Sequence, residues 1–247
     1  MKYYEIHKEA YKVLAQNGAV AWDGETDRDK IFDHEIIVSL EKRLSHYFKD
    51  PTEKSAIDLG TGMGTCALYL SKYGFKARGH DISETAISKA LENAAYFKLD
   101  TDFFCGDILS LECSEKFDLI TDSSFLHCLV TDEDRKKFFD LAKNIINDHG
   151  KLFIHTMVHS DDMSNFLTAP HILLKEDILW STGNEDWDMD WTEIDGRKVF
   201  SHRRIKKVRD LEQEFADHGF EVVEKSVIDD PGNPDSYVAW LALKNAT

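Results

Sequence analysis

The stretch Ala56-Ile57-Asp58-Leu59-Gly60-Thr61-Gly62-Met63-Gly64, residues 56–64, decides how the rest of this chain is read. A short apolar run opening at Ser55 ends at three glycines spaced two apart. A buried strand therefore runs into a tight turn whose bare main chain a ligand can approach closely. Three kinds of nucleotide site compete for such a turn. A phosphate-binding P-loop closes with Gly-Lys-Ser/Thr, whereas Gly64-Thr65-Cys66 stands here, so that motif fails. A dinucleotide fingerprint spaces its glycines G-x-G-x-x-G, and here the third glycine comes one place early. Asp58, two residues before Gly60, would also set negative charge against a pyrophosphate. A ligand that carries positive charge fits this turn better.

Outward from it, strand and helix alternate. The patterns predict a helix over Thr65 to Tyr73, a strand over Lys76 to Asp81, and a helix capped by Ser83 with Ile87, Ala90, Leu91 and Ala94 on one face. Phe103-Phe104-Cys105 and Phe117 to Thr121 read as strands, and Thr131 caps a helix with Phe138, Leu141 and Ile145 inward. Lys151 to Val158 makes a fifth strand. Such βαβ repetition predicts an α/β fold, a parallel sheet with helices on both faces. Val208 to His218 reads as a helix, and Phe220 to Ile228 and Tyr237 to Leu243 as strands. Only the turn Asp229–Ser236, with Pro231, Gly232 and Pro234, joins those last two strands, so they must pair antiparallel.

Residues 1–50 are predicted to be helical, with a first helix ending at Asn17-Gly18 and a second starting near Thr26 that carries Ile36, Leu40, Leu44 and Tyr47 on one face. Residues 159–207 interrupt the alternation as an insertion. Within it Asp195-Gly196 is a two-residue hairpin signal that sets Glu193 opposite Lys198, Trp191 opposite Phe200 and Asp188 opposite Arg203. The acids at 186, 188 and 190 do not make a calcium loop, because Trp191 and Arg197 stand where glycine and glutamate are needed. His155 and His159 have i, i+4 spacing but fall at a strand end, so no metal is expected.

Four acids end successive strands. Asp58 and Asp81 end the first two, Asp107 follows the third in Cys105-Gly106-Asp107-Ile108, and Asp122 follows the fourth. Asp81 lies 21 residues beyond Gly60, where a carboxylate accepts from both ribose hydroxyls. Asp107 is placed to accept from an exocyclic amine of adenine. Together they face the crevice where open α/β sheets bind ligands.

In this ordered set the chain resembles the class I S-adenosylmethionine-dependent methyltransferases. The resemblance rests on Asp58 to Gly64, Gly79-His80-Asp81-Ile82-Ser83, Gly106-Asp107-Ile108, and Phe117 to Ile120 with Asp122. It implies a Rossmann-like, doubly wound, mostly parallel seven-stranded sheet with an antiparallel last strand. The binding domain would span 51–247, with residues 1–50 as a helical lid and the hairpin-containing insertion 159–207 as a second lid. It further implies that Asp58, Gly60, Thr61 and Gly62 hold the methionine part of S-adenosylmethionine, and Asp81 the ribose. Asp107, with Ile82, Gly106 and Ile108, would hold the adenine, and the segment from Asp122 and Ser123 would floor the methyl group. His127, just beyond the fourth strand, is the candidate general base. Tyr3, Tyr4, Tyr11, Trp22, Trp180, Trp187 and Trp191 offer an aromatic enclosure for a small, partly apolar acceptor. Two alternatives are a non-catalytic protein binding the same cofactor and a nicotinamide-dependent Rossmann oxidoreductase.

Thirty Lys and Arg against 46 Asp and Glu give a net charge of −16, which disfavours a general nucleic-acid binder. The amino terminus shows no apolar signal core, and no run of 18 apolar residues occurs. Cys66, Cys105, Cys113 and Cys128 form no CxxC pair and read as reduced thiols, so the cytoplasm is expected. The sequence leaves room for a homo-oligomer and is silent on the acceptor.

Overall fold

Two N-terminal helices, α1 (Ile6–Gln16) and α2 (Glu35–Tyr47), precede the sheet in a computed structural model that describes residues 2–183 and 189–244. The second helix begins later than the expected Thr26. Asp27 accepts the Asp29 amide at 3.1 Å and closes a 3₁₀ turn over Arg28–Asp33 instead. Extended His34 then restarts the chain, its Nδ1 accepting the Ile36 amide at 3.2 Å.

The strands are β1 (Ser55–Leu59), β2 (Lys76–Asp81), β3 (Asp102–Cys105), β4 (Phe117–Ser123) and β5 (Ile146–Val158), interleaved with α3 (Thr65–Tyr73), α4 (Glu84–Phe97) and α5 (Asp132–Ile145). The insertion contributes α6 (Ser164–Leu167), β6 (Ile172–Lys175), β7 (Ile178–Ser181), β8 (Thr192–Ile194) and β9 (Arg197–Arg204); α7 (Val208–Asp217), β10 (Phe220–Ile228) and β11 (Asp235–Leu243) follow. The main sheet has seven strands in the order β10-β11-β5-β4-β1-β2-β3. Neighbours from β5 to β3 pair parallel, and β11 pairs antiparallel with both β5 and β10. β11 is therefore the single reversed strand, as the short Asp229–Ser236 connection requires. Strand order reverses between β1 and β4, which opens a crevice beyond their carboxyl ends.

Period-two alternation sorts the core onto both faces of this sheet. Ile57, Leu59, Ile120, Leu152 and Ile154 point toward α5 and α7, meeting Phe138, Phe139, Leu211 and Phe215. Ala56, Leu119, Phe153 and Trp240 point the other way and meet Leu40 and Leu44 of α2 and Leu70 of α3. On α4, Ile87, Ala90 and Ala94 are buried, while Leu91, expected on the same face, is exposed. Among the described residues no helix is long and apolar enough to cross a membrane.

The insertion folds as a second, antiparallel sheet in the order β6-β7-β9-β8. The expected hairpin about Asp195-Gly196 is there, with Glu193 opposite Lys198 and the Trp191 and Phe200 rings edge-on at 5.4 Å. The expected partner of Arg203, Asp188, lies outside the described residues. A second hairpin, β6–β7, was not anticipated; it turns at Glu176-Asp177 with Glu176 at φ 56°, without a glycine to announce it.

One buried ion pair ties the periphery to the site. Arg135 of α5 is 2% exposed and donates twice, at 2.6 Å, to Glu214 of α7. Its Nη1 also donates to the carbonyls of Leu126 (2.8 Å) and Leu129 (3.3 Å), clamping the turn that carries His127 and Cys128. Removing one partner of such a pair strands a charge in the interior. Glu214→Ala is expected to lower the unfolding free energy by about 3–5 kcal/mol in urea titrations; a loss below about 1 kcal/mol would show that Arg135 finds its compensation elsewhere.

Candidate active site

The turn after β1 is held from below. The amides of Gly60 and Thr61 both donate to the His80 carbonyl, at 2.9 and 3.0 Å, and the Gly62 amide donates to Asp81 Oδ2 at 2.9 Å. Three successive donors are thus spent on β2, and the turn offers no nest of free amides for a phosphate. It offers close approach instead. Gly60 and Gly62 have φ of 77° and 54°. A Cβ on Gly60 would fall 2.5 Å from Phe125 Cβ, and one on Gly62 would fall 2.4 Å from the Tyr11 hydroxyl.

Beside this turn lies a cavity of about 520 Å³, within the size range of small-molecule sites. Asp81 stands on its wall, 6% exposed, its second oxygen accepting the Ser83 amide at 2.8 Å. Each carboxylate oxygen keeps a further lone pair. Burial pushes the Asp81 carboxyl up to about 6. Ile82 and Ile108 give the same wall two apolar surfaces, and Ser123 lines it while donating to Asp58 at 3.0 Å. Asp107 is also on the wall, but it is already engaged: Lys2 Nζ and the Tyr4 hydroxyl donate to its Oδ2 at 2.6 and 2.9 Å. An incoming amine there must share that oxygen or displace Lys2.

Three expected site residues do not reach the cavity wall. Asp58 is fully buried one layer below it, accepting from the Thr121 hydroxyl at 2.8 Å, while its Oδ2 has no donor. Gly106 gives its amide to the Asp81 carbonyl at 2.9 Å and backs onto His80. Asp122 caps a turn instead: its oxygens accept the Phe125 and Leu126 amides at 2.7 and 3.1 Å, and burial pushes its carboxyl up to about 8. In sequence it stands where the other strand-end acids stand; what turns it inward is the pair of main-chain donors that follow it.

The far end of the cavity has a different chemistry. His127 is 3% exposed, with Nδ1 3.2 Å from the Thr156 hydroxyl and Nε2 3.3 Å from Arg203 Nη1. A guanidinium only donates, and the Met157 amide donates to Nδ1 at 3.3 Å, so both ring nitrogens face donors. Burial, then the nearby Arg203 charge, holds His127 well below the usual histidine range. His7 and His202, ring centroids 5.7 Å apart, are held down to about 3 and 4 for the same two reasons, burial first. On another wall His155 Nδ1 meets the Ser124 hydroxyl at 3.0 Å, and Ser124 adopts φ 74°. Of the expected aromatic enclosure, Tyr4, Tyr11 and Trp22 line the cavity. Tyr3 instead bridges Asp134 and the Val130 amide, Trp180 and Trp191 lie off the cavity wall, and Trp187 lies outside the described residues. His7, Met157 and Arg203 are wall residues that sequence reasoning missed.

Residues 51–194 match the methyltransferase domain family. A protein of Geobacillus sp. (strain WCH70) named as a methyltransferase is 25% identical over 156 residues, covering 62% of this chain and 58% of that protein. The chain thus spans little over half the length of that curated relative. The structure of an S-adenosylmethionine-dependent methyltransferase from Clostridium acetobutylicum superimposes with a TM-score of 0.64 at 18% identity, covering 95% of this chain and 99% of that one. That of the Burkholderia thailandensis 1,6-didemethyltoxoflavin-N1-methyltransferase, solved with 1,6-didemethyltoxoflavin and S-adenosylhomocysteine bound, gives 0.63 at 14%, covering 97% and 90%. At such identities both share the fold.

If hydroxyl donors of a ribose meet Asp81, they favour its ionised form, so binding and protonation compete. Because the carboxyl titrates near 6 in the free protein, affinity for S-adenosylhomocysteine is expected to hold above that pH and to fall by about tenfold per pH unit below it. Calorimetry across pH 5 to 7.5 checks this, and Asp81→Asn should flatten the profile. An equally steep acid limb in that variant would place the titrating group elsewhere.

Proposed function

This chain belongs to the methyltransferase domain family, and we propose that it moves a methyl group from S-adenosylmethionine to a small-molecule acceptor by in-line displacement. The observation that carries this reading is the pairing of a turn with spent amides and a cavity wall bearing three carboxylates, Asp81, Asp107 and Asp230. A pyrophosphate asks for free donors and no acids, and a cationic nucleoside with two ribose hydroxyls asks for the reverse. That contrast weighs against a nicotinamide dinucleotide.

S-adenosylmethionine supplies a methyl group carried on positively charged sulfur and is an intrinsically reactive donor. The work left to the chain is alignment and exclusion of water. Asp81 would accept from the ribose, and Ile82 and Ile108 would flank the base. Gly60 and Gly62 leave room for the amino-acid part, and Thr61 lines the cavity beside that turn with Asp58 buried beneath it. Tyr11 and Trp22 from the N-terminal segment and Arg203 from the insertion stand on the cavity wall, which supports residues 1–50 and 159–207 as the covers that keep water out. Burial and the Arg203 charge keep His127 neutral, and we assign it the role of proton acceptor for a methyl acceptor that arrives protonated and takes the place of Arg203 Nη1 at Nε2. A cavity of this volume suits a small acceptor, as in the Burkholderia neighbour, better than a polymer.

S-adenosylhomocysteine is expected to raise the melting temperature and NAD to leave it unchanged, since only a ligand of the native state stabilises it. Incubation with S-adenosylmethionine and a metabolite pool should then release S-adenosylhomocysteine; binding without release would leave a non-catalytic binder. His127→Ala should lower turnover by about 10²–10⁴-fold with cofactor affinity retained, and full activity would reduce His127 to a packing residue.

A further inference from the structure

Arg203 is the exceptional charge in this cavity. It sits on β9, half-buried, and its two hydrogen bonds both run from Nη1, to His127 Nε2 at 3.3 Å and to Met157 Sδ at 3.2 Å. Both acceptors are neutral, and a thioether is a weak one. Among the described residues no carboxylate lies within ion-pair distance of it, although the two basic residues that follow it behave differently. Arg204 pairs with Asp132, and Lys206 pairs with Glu214 at 3.3 Å. A guanidinium carries five donors in a planar fork, so most of this one's capacity is unspent while it lines the cavity.

Its surroundings make that costly. The groups around it are imidazoles, His7, His127 and His202, and burial together with the Arg203 charge keeps them from sharing the positive charge. Of the acids that line the cavity, Asp81 and Asp107 belong to the turn end and are bound to Gly62, Ser83, Lys2 and Tyr4, while the exposed Asp230 accepts from Asn233 Nδ2 at 3.1 Å and lies beyond ion-pair distance of Arg203. A cation held beside two neutral acceptors, with imidazoles around it and no carboxylate within ion-pair distance among the described residues, is a site short of one anion.

We propose that Arg203 is the anchor for a carboxylate on the methyl acceptor, which makes the acceptor a small, mainly apolar or aromatic monocarboxylate. This rests on the methyltransferase reading and adds the substrate class to it. One guanidinium balances one negative charge. A phosphate dianion would need a second cation, and the nearest candidates, Arg204 and Lys206, are committed to Asp132 and Glu214. A planar carboxylate matches the fork in bidentate geometry. The polarity of the cavity then orients both ligands: the cationic nucleoside at the carboxylate end, the acceptor's charge at the arginine end, and its reacting atom between them.

Calorimetric titration of benzoate, its uncharged isostere benzamide, and inorganic phosphate into the full chain saturated with S-adenosylhomocysteine tests this. Benzoate is expected to bind at least about tenfold more tightly than benzamide and than phosphate, as one charge-assisted pair implies. Arg203→Gln should erase the preference for benzoate while leaving S-adenosylhomocysteine affinity unchanged, which also reports that the variant is folded. Arg203→Lys, should the glutamine variant fail to fold, should keep part of the preference, since the charge stays and the fork is lost. Equal binding of benzoate and benzamide, or an undiminished preference in Arg203→Gln, would overturn the proposal. Tighter binding of phosphate would overturn the monocarboxylate class. Benzoate preference in a protein that does not bind S-adenosylhomocysteine would sink the methyltransferase reading and leave the anion site standing.

Discussion

A single buried carboxylate organises this site. Asp81 ends β2, yet its two oxygens reach across to the Gly62 amide and forward to the Ser83 amide. The first bond fixes the turn after β1 and the second starts the run into α4, whose first turn Ser83 also caps. Hydrogen bonds to an ionised group contribute about 1.5–3 kcal/mol each, which is what holds a charged group at 6% exposure. Burial works against them and lifts the carboxyl to about 6, so the group is held in place without being saturated. Unsaturated and immobile acceptors are what a ligand with paired hydroxyls requires.

The same logic runs through the rest of the cavity with other charges. Arg135, fully satisfied by Glu214 and two carbonyls, fixes the Leu126–Leu129 turn and so fixes His127. Arg203, barely satisfied, is the opposite case. Two arginines in one neighbourhood thus take different parts, and their partners alone tell them apart. Asp122 and Asp81 make a parallel contrast, since both end strands and both accept two amides, but only Asp81 turns its remaining lone pairs to the cavity.

The sheet was legible because its signals are local: apolar runs of strand length, helix caps at Ser83 and Thr131, and a Pro-Gly turn too short for anything but an antiparallel return. The turn at Gly60 to Gly64 and the wall acids Asp81 and Asp107 were legible for the same reason. Harder to read were groups whose part depends on what the fold brings near them. Asp122 reads like its fellow strand-end acids until the Phe125 and Leu126 amides claim it. Arg203 reads as one member of a cross-strand charge pair, and only the folded chain sets it against His127 and Met157. His7 and Tyr11 lie on a helix whose apolar stripe suggests packing, and the approach of Tyr11 to Gly62 is a contact between residues 51 positions apart. The β6–β7 hairpin escaped notice because Glu176 takes a left-handed conformation that glycine or asparagine usually marks.

The most direct test of the central claim is a crystal structure of the chain with S-adenosylhomocysteine. The account predicts the ribose hydroxyls on the two oxygens of Asp81, the homocysteine part along Gly60 to Gly62, and the sulfur facing the half of the cavity that holds His127 and Arg203. A ligand seated away from Asp81, or one whose ribose meets main-chain amides in its place, would contradict it.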